Sequence, residues 1–557
     1  MRLTTRASVL AALAGCTTAP PASVGPASFA MAVQDVAVLG VGDQMRAEAT
    51  WYDSSGVALT TPRATFVSSD PRVVSVDAKG QVTALATGEA TVVASVDDAR
   101  FTFHVRVPSA PTTDAVVDLF PAARYQVITG WEAAAGIGEA DCNRTAVAKY
   151  QPEVTRRAIE ELGITRLRLA LRSGTESRVD LWADYRAGRM DYAHWRATWM
   201  VATNDDADPA HIDSAGFQWG YFDAHLEAIV LPMREALARR GERLEVNLNY
   251  VDFFLTRGEK AFAQMKDPEE YAELILAAFL HMQGKYGFVP DAVELNLEPE
   301  NTAYSAIDMG RALVATARRL RAAGFAPRFV GPSSTRAANA VQHYDAMIAV
   351  PGARGLLSEL AYHTYTGVSD ATRQAIRLRA LRDQIHTAML EHIGAGFDGL
   401  YADLTMANVS AWEQFTLAYC GRRDRPENGG VYYQVNQSDS LAPRVNLTNE
   451  SKLLRQVFAF VRPGAVRIGA TSAHPDVRPL AFTDTLGGTV VVLRSTARLS
   501  MHVRGLPPGN YGVNYSTRAD TFNVELPPVV VDASSEAVIP PLGDVAVTLY
   551  PLRGGVA

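Results

Sequence analysis

The chain has 557 residues, more than one hydrophobic core supports, so several domains are expected. Apolar residues make up 48% and charged residues 20%, which excludes a disordered or fibrous chain. The formal net charge is -7 and no block of Lys or Arg occurs, which argues against nucleic acid as a partner and leaves a small or uncharged one.

The chain opens MRLTTRASVLAALAGC: two arginines, then an apolar run too short to span a bilayer, ending in Leu13-Ala14-Gly15-Cys16. This tetrapeptide resembles the lipobox of bacterial lipoproteins, which implies removal of residues 1–15 as a signal peptide, lipidation of Cys16 and an extracytoplasmic, membrane-anchored protein at the outer membrane or cell surface. An ordinary signal peptide with an incidental cysteine is the alternative. Residues 16–30, rich in Pro, Ala and Ser, read as a linker.

Residues 31–108 carry short alternating runs such as VAVLGVGDQ, RVVSVDAKGQVTAL and EATVVASVDD, with Asp and Gly at the turns, a β-sandwich pattern. The stretch SSDPRVVSVDAKGQVTALATGEATVVASV resembles the bacterial Ig-like group 2 domain, which implies a spacer, adhesion or carbohydrate-binding module.

Residues 115–464 change texture. Strands such as ITRLRLAL, RLEVNLNY, DAVELNLEPEN, RFVGPS and LSELAYHTY alternate with helical stretches such as EVTRRAIEELG and EEYAELILAAFLHMQGKYG. Eight such units predict a (β/α)8 (TIM) barrel, whose chemistry sits where the strands end. Residues 465–553 return to short β-runs and predict a C-terminal all-β side domain, a β-sandwich, with AVVDL just before the barrel pairing into it.

In DAVELNLEPEN the alternation puts Glu294, Asn296 and Glu298 on the face opposite Val293, Leu295 and Leu297. The apolar face meets helices, so Glu298 points inward at the C-terminal mouth, and Pro299 stops the strand. A surface glutamate in a salt bridge is the alternative. A second carboxylate follows from counting: about 31 residues per βα unit separate strands 4 and 7 by about 94. Glu391, at the end of TAMLE, lies 93 residues after Glu298. Glu359 sits at the start of its strand, and Glu413 follows Trp412, which takes the inward parity in this reading.

Glutamates ending strands 4 and 7 resemble glycoside hydrolase clan A. RYQVITGWEAA, LRLAL, YHTY and FAFVRPGAVRIGA resemble family 30 of that clan, over about residues 115–552. The resemblance implies a retaining O-glycosyl hydrolase acting on a β-linked carbohydrate, with Glu298 as general acid/base and Glu391 as nucleophile. Arg168 would steady Glu391, with Arg166 and Arg172 as alternatives on the same strand. His363 and Tyr365 would position Glu391 or contact sugar, Trp412 would offer a flat face to the sugar ring, and Trp131 lies on a strand bordering it. The clan places Asn directly before the acid/base, whereas here Leu297 stands there and Asn296 comes one residue earlier; a bulge, or Asn249, would supply that role. No cofactor is implied, and no Cys/His cluster has metal-ligand spacing. A barrel that has lost catalysis and binds carbohydrate at a cell surface is the alternative function. Cys142 and Cys420, after strand 1 and at the end of strand 8, are expected to be neighbours across the barrel's closure, with a disulfide allowed.

Overall fold

The computed structural model describes residues 25–553 except 61, 109–114, 140–141, 143, 259–261, 422–429 and 534–535. Cys16 and most of the linker therefore lie outside the described residues. Among the described residues no helix is long and apolar enough to cross a membrane.

The N-terminal module is built from two small sheets and a two-stranded pair of Phe29–Met31 with Thr50–Tyr52. One orders Val36–Val38, Ala99–Val107, Gly88–Val96 and Thr65–Ser68, and the other Gln44–Arg46, Gln81–Ala84 and Val74–Val76. Every second residue of the long strand Gly88–Val96 is buried (Ala90, Val92, Ala94, Val96), so the period-2 pattern lays one face onto the core that holds Trp51, Val74, Val82, Phe103 and Val105. Polar contacts tie the module to the segment Ala115–Val127: buried Arg106 pairs with Asp118 at 3.0 Å and donates to the Leu119 carbonyl, and the half-buried Tyr125 hydroxyl donates to Asp35 at 2.7 Å.

A closed parallel barrel comes next, formed by β1 (Gly130–Ala134), β2 (Arg166–Arg172), β3 (Glu245–Val251), β4 (Ala292–Glu294), β5 (Arg328–Arg336), β6 (Leu357–Thr366), β7 (His386–Glu391) and β8 (Val409–Thr416). Its interior is unusually polar. Arg166 is fully buried near the base, where it meets Glu132 at 2.7 Å, Glu359 at 3.0 Å and Glu245 at 3.2 Å. Asn247 donates to both Glu132 and Glu294 in the same region. Small apolar side chains, Ala292, Val330, Ala361, Ala388, Leu390 and Ala411, form a separate cluster there, as the narrow bore of eight strands requires. Large side chains sit between the strands and the outer helices, in the main core.

The segment Ala115–Val127 leaves the Ig-like module and pairs with the C-terminal region before the barrel begins. It lies antiparallel to Val466–Ser472 and parallel to Leu499–Arg504 within a nine-stranded sheet whose other strands all come after the barrel in the chain. AVVDL thus pairs as its pattern predicts, and the side domain is a β-rich unit completed by chain from both ends of the barrel. Cys142 and Cys420 form a disulfide with Cα atoms 5.9 Å apart. Cys420 lies in a short strand of its own, Ala418–Gly421, beyond the end of β8.

Candidate active site

The mouth of the barrel opens into a cavity of about 530 Å³ that contains both Glu298 and Glu391. Each glutamate reaches it through an irregularity at a strand end. Strand β4 ends at Glu294, and Glu298 lies four residues on in the left-handed region with φ +51°, its N–H donating to the Ser333 carbonyl. A non-glycine residue held there costs about 1–3 kcal/mol, a strain that concentrates at functional positions. In consequence the alternation breaks, and Leu297 and Glu298 both face the cavity. At β7 the pairing register with β6 shifts between Tyr362 and His363. Leu390 belongs to the barrel's interior cluster, and Glu391 immediately after it lines the cavity.

The two carboxylates have different partners. Glu391 is ion-paired to Arg168 Nη2, its Oε1 accepts from the Tyr365 hydroxyl at 2.7 Å, and Arg168 Nη1 donates to the Leu390 carbonyl at 2.9 Å. Glu298 Oε1 meets His363 Nδ1 at 3.1 Å, and its Oε2 accepts from the Asn301 amide at 2.7 Å. One oxygen of each glutamate and a ring nitrogen of His363 lie within 4.8 Å of one another. All three residues are buried.

Burial by itself would raise the Glu391 pKa, but the Arg168 charge, the His363 ring and the Tyr365 O–H outweigh it and hold the carboxyl below its ordinary value of 4.5. Arg168 also lies 2.9 Å from Glu413, which is fully buried inside the barrel. Burial drives Glu413 far above the carboxylate range, against the pull of Arg168 and helped by Glu132, Glu391 and Glu294.

Three expected sugar-site residues lie elsewhere. Trp131 and Trp412 are directly paired neighbours on β1 and β8, so they share a face, and that face is the outer one. Trp131 stacks on Phe458 at 4.7 Å and donates to the Val461 carbonyl, while Trp412 donates to Asp403 and packs at 6.1 Å from the same Phe458. An indole fits the helix-facing layer and not the narrow bore, which instead takes Glu132 and Glu413; the inward parity belongs to Glu413. Asn296 turns away to Thr302 and Met309, so no bulge restores it to the cavity. Asn249 does line the cavity that holds the glutamate pair, with its amide nitrogen buried and unpaired.

Of the three arginines on β2, only Arg168 reaches Glu391. Arg166 is held in the basal network, and Arg172 lies between Trp199 and Tyr221, 3.7 and 3.9 Å from their ring centres. Those two aromatics belong to the long insertion between β2 and β3, which walls one side of the cavity. The same wall carries Glu139, ion-paired with His225. Burial opposes ionisation of Glu139, but the His225 charge and hydrogen bonds pull it down to about 2. Sequence reasoning missed this wall, because none of its residues ends a barrel strand except Arg172. Asn301 was visible as the end of the NLEPEN run, three residues past Glu298, and only the tight turn after Glu298 brings it back.

Residues 34–107 match the family described as bacterial Ig-like domain (group 2). No curated protein sequence matches the chain. Among solved structures, the catalytic domain of a family 30 xylanase C from Talaromyces cellulolyticus is similar with a TM-score of 0.55 at 15% identity, covering 79% of this chain and 100% of that one. A family 30 endoxylanase from Clostridium papyrosolvens C71 gives 0.53 at 14% identity with the same coverage. An endo-β-1,6-glucanase gives 0.54 at 13%, over 88% of this chain and 100% of its own. The chain thus joins a group 2 bacterial Ig-like domain to a closed eight-stranded parallel barrel and a β-rich C-terminal region, the barrel sharing its fold with family 30 xylanases and other clan A glycoside hydrolases.

Proposed function

We propose that this protein is a retaining glycoside hydrolase acting on a β-linked polysaccharide or glycoside, with Glu391 as nucleophile and Glu298 as general acid/base. The observation that carries this reading is the pair itself: two buried carboxylates with oxygens no more than 4.8 Å apart, in one cavity, with different partners. Retaining enzymes hold their carboxyls about 5–5.5 Å apart, whereas inverting enzymes leave about 6.5–9.5 Å for a water.

In the first step an oxygen of Glu391 attacks the anomeric carbon as the glycosidic C–O bond breaks, and Glu298 gives its proton to the departing oxygen. The products are a glycosyl-Glu391 ester and a free hydroxyl on the leaving group. In the second step Glu298, now a carboxylate, takes a proton from water, whose oxygen displaces Glu391 from the anomeric carbon. Arg168 and Tyr365 keep Glu391 ionised and aimed. His363 and Asn301 each hold one oxygen of Glu298, fixing the face it presents to the bond being cleaved. Asn249 is the donor nearest in kind to the missing asparagine and is assigned to a sugar hydroxyl.

The xylanases and β-1,6-glucanase that share the fold make xylan and β-1,6-glucan the first substrates to test. Purified protein is assayed against a panel of β-glycans and aryl β-glycosides, alongside the Glu391→Gln variant. Turnover by the wild type on at least one β-linked substrate, lost in the variant, is the expected result. Saturable binding to a glycan without turnover of any panel member would favour a carbohydrate-binding protein, the reading to which Leu297 in place of asparagine lends support.

A further inference from the structure

A second group of acidic side chains lies outside the catalytic cavity. Glu176 comes just after β2, Asp205 lies in the insertion between β2 and β3, and Glu270 sits in the first turn of the helix Pro268–Tyr286. One carboxylate oxygen from each lies within 4.8 Å of the others, and the three residues are only 2%, 3% and 7% exposed. Among the described residues none of the three has a Lys, Arg or His in ion-pair contact, unlike Glu391 with its Arg168.

Two further oxygens at this place lack partners. Glu273, one helical turn beyond Glu270 and 2% exposed, has Oε2 buried with no hydrogen-bond donor; Arg319 reaches only its Oε1, at 3.5 Å. Asn204 donates its amide nitrogen to Glu270 at 3.2 Å, which leaves its buried, unpaired Oδ1 beside the same carboxylate.

Glu176 accepts from the Asp205 N–H and the Gln264 amide, and Asp205 from the Asp206 and Asp213 N–H groups, but these neutral donors supply no counter-charge to a buried acidic cluster, and a cation would. Every donor here is an oxygen, which suits a hard cation and excludes the softer metals that seek Cys and His. Calcium takes six to eight oxygen ligands at about 2.3–2.6 Å in a flexible cage, whereas magnesium demands a near-ideal octahedron at about 2.0–2.1 Å and keeps several waters, so a cage supplied mostly by protein oxygens suits calcium. We propose that Glu176, Asp205 and Glu270, with Asn204 Oδ1 and Glu273 beside them, form a calcium site that pins the β2–β3 insertion to the helix after β3. Its effect would extend to the cavity wall. Trp199 and Met200 lie in the chain between Glu176 and Asp205, and the Ser173 hydroxyl holds the Met200 carbonyl at 2.8 Å.

The test uses the full-length protein, stripped with a chelator and titrated with CaCl2 by calorimetry, with thermal melting in parallel. The expected result is one ion per chain, bound more tightly than about 10⁻³ M, with Tm raised by roughly 5 °C at saturation. Glu270→Gln keeps the side-chain shape and the Asn204 contact but removes charge, and should weaken binding at least about tenfold. Glu391→Gln, in the other acidic group, should bind as the wild type does. Absence of both heat and Tm change with CaCl2 would overturn the proposal, as would MgCl2 acting equally well. Binding lost in Glu391→Gln and retained in Glu270→Gln would move the site to the catalytic pair.

Discussion

The Tyr365 hydroxyl donates to Oε1 of Glu391 at 2.7 Å while Arg168 pairs with Oε2, so both oxygens of this carboxylate are engaged by side chains from other strands before any substrate arrives. Such a carboxylate is held ionised and in one orientation. Hydrogen bonds to charged groups contribute about 1.5–3 kcal/mol, so Tyr365→Phe is expected to lower kcat by roughly ten- to a hundredfold, with the melting temperature nearly unchanged. An unchanged kcat would remove Tyr365 from the nucleophile's support.

The acidic limb of the pH–rate profile should report Glu391. Its pKa lies below 4.5 despite burial, so activity should persist below pH 4.5 and fall only as the carboxylate takes up a proton. The sign for stability is the same: a depressed folded-state pKa contributes stability above the unfolded value, lost as pH falls through the folded one. In Arg168→Gln the counter-charge is gone, and the acidic limb of kcat/KM should move up by roughly 1–3 units. A limb that stays in place would mean that another group titrates.

Glu298→Ala should retain activity on substrates with activated leaving groups, which need little protonation to depart, and lose it on natural glycans. Azide occupies the space vacated by the carboxylate and should yield a β-glycosyl azide. An equal loss on both substrate types would contradict the acid/base role.

The disulfide between Cys142 and Cys420 closes a loop of 278 residues and borders the cavity wall through Gly138, Glu139 and Tyr419. Removing it by Cys142→Ser with Cys420→Ser should destabilise the protein by about 2–4 kcal/mol and raise KM more than it lowers kcat. A Tm equal to that of the wild type would show that the clasp contributes nothing to stability.

Cys16 is expected to carry a lipid, and Cys16→Ala should release the protein from the membrane fraction or block its maturation. Equal solubility of wild type and variant outside the cell would contradict the lipoprotein reading.

The barrel was legible because β2, β3 and the long helices repeat apolar patterns that only a parallel barrel with an outer helical layer satisfies. Glu298 and Glu391 were legible from parity and from their spacing. Both rules fail locally where backbone irregularity intervenes. Strict alternation predicts Asn296 beside Glu298, but the left-handed turn at Glu298 substitutes Leu297. On β8 the two parities were interchanged: a tryptophan looked like a sugar platform, whereas the bore has room only for Glu413 at that level and the indole packs on Phe458. The cavity wall of Glu139, Trp199, Tyr221 and His225 was not legible at all, since its members are brought together by the folded insertion and share no periodicity.

The double displacement proposed for Glu298 and Glu391 would leave a signature that no single displacement shares, the configuration of the sugar at the moment of release. Hydrolysis of a β-linked substrate identified by the panel is followed by proton NMR from the earliest time points, before mutarotation. The β-anomer should appear first and decay to the equilibrium mixture. An α-anomer released first would contradict the mechanism, because a single inversion requires an attacking water and leaves Glu391 no role as nucleophile.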